Sequence, residues 1–301
     1  MKTLIVILGP TAVGKTKLSI DIARRYGSPI LSADSRQIYK GMEIGTAAPT
    51  QEELRAVKHY FVGELELTDY YSAALYEENF IKLSEELFKT HGTLVMSGGS
   101  MMYIDAVCNG IDEIPTVTEE VRTQAMKDFA DKGLEAMCME LKERDPELAE
   151  KIDLKNHKRV IHAVEICRMT GRPFSELRTN TKKERPFNII KIGLTRPREE
   201  LFVRISARTE EMIAKGFEPE ARTLFPLRHL NSLNTVGYKE MFAYINGEYT
   251  LSEAVEKIKR NTRVYAKKQI TWFKRDERIR WFSPDDKEEI FKYIDSRLTR
   301  E

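Results

Sequence analysis

Cysteine is scarce in this chain: only Cys108, Cys138 and Cys167 occur in 301 residues, and no two stand at CxxC spacing. That excludes a disulfide framework and a cysteine zinc site, and the thiols read as small buried apolar groups in a reducing compartment. Long apolar runs are missing too. The first covers residues 4–8 and leads straight into a glycine loop, too short for a secretory leader, and no run approaches the roughly eighteen residues of a membrane span. The chain is expected to be cytoplasmic and to have no membrane partner. Neither an internal repeat nor a low-complexity segment occurs. At 41% hydrophobic and 32% charged residues, the composition is that of a globular protein able to build a sizeable core.

Residues 9–16 read GPTAVGKT and satisfy GxxxxGK[ST]. In such a loop Gly9 and Gly14 let backbone N–H groups curl around an anion, with Pro10, Thr11, Ala12 and Val13 between them. Lys15 then meets the phosphates and Thr16 offers a hydroxyl to Mg²⁺. The apolar run 4–8 predicts a buried parallel strand, and residues 15–25 predict a helix ending at Gly27, so the helix dipole reinforces the anion site. This order of strand, loop and helix fixes the ligand class as phosphorylated and leaves the reaction open.

Further apolar, β-rich runs at 29–33, 93–97 and 188–194 alternate with helical patterns, which predicts an α/β fold with a P-loop NTPase-like core and a mainly parallel sheet. From 115 to 185 the β signal disappears and charged amphipathic patterns take over, at 121–131 and at 153–170 before Gly171 and Pro173. The expected organisation is a catalytic core of residues 1–114 and 186–301 with a helical insertion at 115–185. Asp34 and the Gly98-Gly99-Ser100 turn follow strand ends, so topology alone places them in one crevice with the glycine loop.

Asp34 is the sharpest candidate outside the loop. A carboxylate there can orient Mg²⁺, accept a proton from a nucleophile, or both; it can also be a helix cap. Ser35, Arg36 and Gln37 suit reading the edge of a base or sugar, or form an ordinary solvated loop. Arg222, in a GFEPEAR segment, either reaches the crevice to neutralise a diphosphate or is a surface arginine. Arg159 and His162 share the helix side opposite the Val160, Ala163, Val164 and Cys167 stripe and are expected to be exposed, His162 without the second ligand a metal requires. Net charge is only +2, yet residues 257–275 hold eight basic side chains and no acidic one. Arg260, Arg263, Lys267 and Lys274 recur there at helical spacing as a stripe, the footprint of a polyanion. No hhhhD[DE] pair follows the 29–33 or 93–97 runs, which argues against an ATP-driven switch; a small-molecule or nucleoside kinase with Asp34 activating a hydroxyl is the rival enzyme.

The strings GPTAVGKT, SADSRQIYKGMEIGTAAP, SGGSMMYIDAV, NHKRVIHAVEICRMTGRPFSE, NTVGYKEM and NTRVYAKKQITWFKR together resemble the bacterial tRNA dimethylallyltransferases, over about residues 4–282. The loop alone is shared widely; the Asp34-centred string and the Tyr-Ala-Lys-Lys-Gln-Ile-Thr-Trp-Phe string are specific to that family. The resemblance implies that residues 9–16 hold the diphosphate of dimethylallyl diphosphate with Mg²⁺, that Asp34 serves the N6 amine of the adenine 3′ to the anticodon, and that Arg222 stands near the diphosphate. It also implies that Asp34 to Gln37, Ser100, Arg122, the segment Lys158, Arg159, Val160, Ile161 and His162, and the segment Asn234, Thr235, Val236, Gly237, Tyr238 and Lys239 contact the tRNA anticodon stem-loop, with the protein a monomer. Ser100 stands where the family commonly has Thr, Asn234 and Lys239 where Arg is frequent, and His162 where Arg or Lys is usual.

Overall fold

The computed structural model describes residues 2–112, 114–179 and 181–298. The chain begins β1 (Thr3–Leu8), α1 (Lys15–Arg25), β2 (Ile30–Ala33), α2 (Gln51–Ala56), β3 (His59–Tyr60), α3 (Ala73–Leu87), β4 (Thr93–Gly98), α4 (Met101–Asn109). Next come α5 (Glu119–Arg144), α6 (Pro146–Lys151), α7 (His157–Thr170) and α8 (Phe174–Leu177). It ends with β5 (Asn188–Leu194), α9 (Arg198–Ala214), α10 (Phe217–Leu224), α11 (Tyr238–Ile245), α12 (Leu251–Phe273), β6 (Arg280–Phe282) and α13 (Lys287–Leu298). Gly110–Lys183 form one compact unit and the segments on either side form the other.

In the larger unit six parallel strands make one sheet in the order β3-β2-β4-β1-β5-β6. β1 is central and every residue of it is buried. Its side chains alternate: Leu4, Val6 and Leu8 join the core on one face, and Ile5 and Ile7 join the core on the other. A strand covered on both faces reads as an unbroken apolar run, and each such side chain contributes about 1.5–3 kcal/mol through burial. The runs at 4–8, 29–33, 93–97 and 188–194 thus become β1, β2, β4 and β5. With two and three residues, β3 and β6 are too short to leave a periodic signal. One core face carries Tyr76, Phe80, Tyr103, Phe217, Tyr238 and Phe273, and the other takes Ile22, Leu201, Ile205, Ile290 and Ile294. The glycine loop, the Asp34 loop, the Gly99 turn and the Arg196 segment all leave the carboxyl ends of these strands.

The smaller unit is helical. α5 bends at Gly133 (φ 76°, ψ −179°), and α7 starts on an Asn156 cap and stops at left-handed Gly171. Its core joins Met137, Leu141, Val160, Val164, Ile166 and Phe174. Fully buried Asp145 accepts from Leu148 N–H, Ser175 N–H and Ser175 Oγ, so its charge is met by donors. Cys108 and Cys167 are buried and Cys138 is half-buried, all three as free thiols. None of the described helices is long and apolar enough to cross a membrane.

Candidate functional site

Gly9 has a φ of 149°, and a Cβ there would lie 2.7 Å from the Leu194 carbonyl oxygen, so only glycine lets the chain leave β1 this close to β5. Ala12 turns left-handed (φ 63°) and Gly14 (φ 112°) starts α1. The loop therefore ends on a helix N-terminus, where an anion is favoured. Lys15 folds back over it, Nζ donating to the carbonyls of Gly9 (3.0 Å) and Pro10 (2.8 Å). Burial lowers the Lys15 pKa to about 7, the Arg208 guanidinium pushes it the same way, and the Asp34 carboxylate opposes both. These influences place Lys15, Arg208 and Asp34 in one electrostatic cluster. Thr16 lies exposed beside it.

Three arginines of the β5–α9 segment grip successive loop residues. Arg196 Nε donates to Val13 O (3.0 Å), Arg204 Nε to Ala12 O (2.8 Å) and Arg208 Nη1 to Thr11 Oγ1 (2.7 Å). Arg208 is the deepest: burial lowers its pKa, and Asp34 followed by Glu211 counteracts that. From the other side α12 reaches the loop through Gln269, whose Oε1 accepts from Thr11 N–H (2.9 Å) and whose Nε2 donates to Gly99 O (2.8 Å).

Asp34 sits just past β2. Its Oδ1 accepts from the N–H groups of Arg36 (2.9 Å) and Gln37 (3.2 Å), which fixes the carboxylate without using its second oxygen. The Gln37 amide donates to Thr46 O (3.2 Å) and Ala47 O (3.1 Å), and Arg208 Nη2 donates to the same Thr46 carbonyl (3.0 Å). Arg36 Nη1 donates to Asn231 O and Ser232 O. The polar quartet 34–37 is thus a brace that joins the carboxylate to its neighbouring loops. Tyr265 of α12 is 36% exposed. Its hydroxyl is pushed up to about 12, first by desolvation and then by the Asp34 charge, with Arg36 partly offsetting.

Arg222 does not join this cluster. It lies on α10, whose buried residues are Phe217, Ala221 and Leu224, so its side chain points away from the core. There it donates to Glu218 Oε1 (2.8 Å) and Tyr244 Oη (3.2 Å) in an exposed network. The arginines that the fold brings to the glycine loop are Arg196, Arg204 and Arg208, and the charge of Arg208 is the one that acts on Lys15. Sequence reasoning missed Arg208, Arg204 and Gln269, and only a weak signal pointed to them. Arg204 and Arg208 share a face of α9 at i, i+4, and Gln269 is the one polar side chain among the buried residues Ala254, Ile258, Ala266 and Phe273 of α12.

The segments expected to touch RNA divide by burial. Lys158, Arg159 and His162 are exposed on α7, whereas Val160 and Ile161 belong to the core of the helical unit, because five consecutive helical residues cannot share one face. Buried Glu165 gathers Arg122 (3.7 Å) and His162 (3.4 Å). Asn234 and Lys239 are exposed, but Tyr238 is fully buried with its hydroxyl on Glu220 (2.6 Å), and Gly237 donates its N–H to Glu240. Ser100 is buried at the start of α4, its N–H on Ala33 O. On α12 the guanidinium of Arg263 lies 5.4 Å, and the ammonium of Lys267 5.8 Å, from the Phe202 ring centre; Arg263 also donates to Ser206 Oγ. Lys259, in contrast, is neutralised by Glu210 and Glu256. Arg260 is exposed. No His, Cys, Asp or Glu cluster able to hold a metal alone occurs among the described residues.

Comparison with known proteins supplies the family. The chain is 60% identical over 298 residues to tRNA dimethylallyltransferase 2 of Parabacteroides distasonis, covering 99% of this chain and all of that one. It is 58% identical to tRNA dimethylallyltransferase 1 of Phocaeicola vulgatus over 98% of each chain. The crystal structure of the tRNA isopentenylpyrophosphate transferase of Bacillus halodurans superposes with a TM-score of 0.73 at 34% identity, covering 99% of this chain and 97% of that chain. Residues 37–276 match the family described as IPP transferase. With near-complete coverage on both sides, and a glycine loop and carboxylate set in a parallel sheet, the chain belongs to the IPP transferase family.

Proposed function

We propose that this protein transfers a dimethylallyl group from dimethylallyl diphosphate to N6 of the adenine 3′ to the anticodon in tRNA, releasing diphosphate. The observation that carries the reading is that Lys15 and Arg208 both bond the glycine loop while Gln37, whose N–H braces Asp34, shares the Thr46 carbonyl with Arg208: two cations for a leaving diphosphate beside a braced carboxylate. The relatives' names give tRNA as the acceptor and dimethylallyl as the group transferred, which supports the reading. The exocyclic amine is a poor nucleophile because its lone pair is delocalised into the ring, so the donor's C1–O bond must ionise well ahead of N6–C1 bond formation. Charge then accumulates on the diphosphate oxygens. Lys15, the loop amides and Arg208 face that charge, and their stabilisation grows as the bond breaks. The N6 proton goes to the oxygen of Asp34 that the brace leaves unused.

The donor set suits Mg²⁺ that arrives with the diphosphate: Thr16 gives one exposed hydroxyl, and among the described residues no ready-made acidic cage competes with the diphosphate oxygens. When bound, the ion neutralises the departing diphosphate. An adenine has to leave its stack to reach Asp34, which costs least in an unpaired loop, and the exposed Tyr265 offers it a surface to stack on. Arg260, Arg263 and Lys267 of α12, the exposed Asn234 and Lys239, and Lys158, Arg159 and His162 of the helical unit provide cations and polar groups for the tRNA backbone. Incubation of the purified protein with radiolabelled dimethylallyl diphosphate and unmodified tRNA tests the reading: label enters the tRNA without ATP. Label uptake that needs ATP, or nucleotide turnover in its place, would favour a kinase.

A further inference from the structure

We infer that Gln269 is a positioning residue that sets the donor loop from α12. The inference rests on the reading above only in taking residues 9–16 as the diphosphate cradle. Gln269 is 2% exposed and lies 258 residues from the loop it touches. A planar amide carries an acceptor and a donor side by side, and here both are used: Oε1 takes Thr11 N–H and Nε2 gives to Gly99 O. Those two partners leave one orientation of the amide, because a flipped group would set N–H against N–H and C=O against C=O.

The opposite strand end has made room for it. A Cβ at Gly99 would come within 2.4 Å of Gln269 Nε2, and Gly99 needs no left-handed φ, so the glycine there serves the amide and not the backbone. Thr11 is then held twice, through its N–H by α12 and through its hydroxyl by Arg208 of α9. The loop residues that follow, Ala12 and Val13, hang on Arg204 and Arg196. Gln269 is thus the one uncharged clamp in the set, and it sits one turn from Tyr265 on the helix expected to meet tRNA. Removing it frees the entry arm of the loop, while the loop's cationic groups and the cations of α12 stay in place. The defect should fall on the donor and spare the acceptor.

Gln269→Ala, Gln269→Glu and Gly99→Ala are compared in the full chain by steady-state kinetics with both substrates, with melting temperature as the fold control. Binding of inorganic diphosphate with Mg²⁺ is measured in parallel by calorimetry. Gln269→Ala is expected to lower kcat/KM for the donor by about 10- to 100-fold, to weaken diphosphate binding, and to leave the tRNA KM within about threefold. Gln269→Glu, which retains the acceptor for Thr11 and loses the donor to Gly99, falls between. Gly99→Ala displaces the amide tip and reproduces the donor-side loss with little change in melting temperature. The double variant is no worse than Gln269→Ala alone, since both lesions release the same contact. Gly99→Ala carries the test if Gln269→Ala does not fold. A lowered melting temperature with unchanged donor kcat/KM, a loss confined to tRNA, or additive losses in the double variant would overturn the role. An inactive wild type would instead count against the transferase reading.

Discussion

At the scale of single residues, charge assigns the roles. Asp34→Asn keeps an oxygen for the Arg36 and Gln37 amides and loses the ability to take a proton, so it separates chemistry from loop bracing better than alanine does. The single-turnover rate should fall by roughly 10²-fold or more with donor and tRNA affinities within a few fold; an unchanged rate makes Asp34 a brace alone. Arg208→Ala is expected to cost about 10²-fold in donor kcat/KM, whereas Arg222→Ala, which breaks exposed contacts with Glu218 and Tyr244, should stay within about threefold. The reverse order of losses would restore Arg222. Lys15 makes a prediction about protons. Its folded pKa of about 7 lies below the ordinary lysine value, so the unfolded chain binds the extra proton between pH 7 and 10.5. The group's cost to stability is therefore fully present below pH 7 and vanishes as pH rises through 10.5. Diphosphate raises that pKa, so at pH 8 donor binding should take up close to one proton, and Lys15→Ala should abolish the uptake. Calorimetry in two buffers of different ionisation enthalpy reads this directly; no uptake in the wild type would mean that Lys15 is already protonated in the free protein. Lys15 and Asp34 were legible because their motifs fix them next to a strand end. Arg208 was not, since the face of α9 that meets the loop is decided by packing of Leu201, Ile205 and Thr209.

At the scale of elements, α12 is the most informative. Its basic stripe was read from helical spacing, and the helix opens on a Thr250–Glu253 capping box and runs to Phe273, with Lys274 just past its end. What the pattern did not show is how the cations of α12 divide: Lys259, outside the stripe, is spent on Glu210 and Glu256, while Arg263 and Lys267 of the stripe lie over Phe202 with no ion-pair partner among the described residues. Lys267→Ala should weaken tRNA binding, spare donor binding and lower the slope of log affinity against log salt by about one unit. Arg263→Ala should do the same and also reduce the melting temperature, because its guanidinium holds Ser206 on α9. Wild-type salt slopes in both variants would make the stripe a packing feature. In α7 the helical period already separated Arg159 and His162 from Val160; carrying the whole 158–162 segment over as RNA contacts ignored it, and the burial of Val160 and Ile161 restores the distinction.

At the scale of the whole molecule, strand order decides where chemistry happens. β1 lies between β4 and β5, so the loops after β1, β2, β4 and β5 gather at one edge, and residues distant in sequence, Thr11, Asp34, Gly99, Arg208 and Gln269, become neighbours. The apolar runs made that sheet readable, but the short strands β3 and β6 and the long-range clamps had no local signature. The proposal that this arrangement is a prenyl-transfer site for tRNA is tested most directly by one measurement: transfer of radiolabel from dimethylallyl diphosphate to an unmodified tRNA with adenine 3′ to its anticodon, in Mg²⁺ and without ATP, with the product nucleoside identified. Labelled N6-dimethylallyladenosine at that position, formed roughly 10²-fold or more slowly by Asp34→Asn, is the expected result. No labelled nucleoside from the wild type under these conditions, or label that appears only when ATP is added, would contradict it.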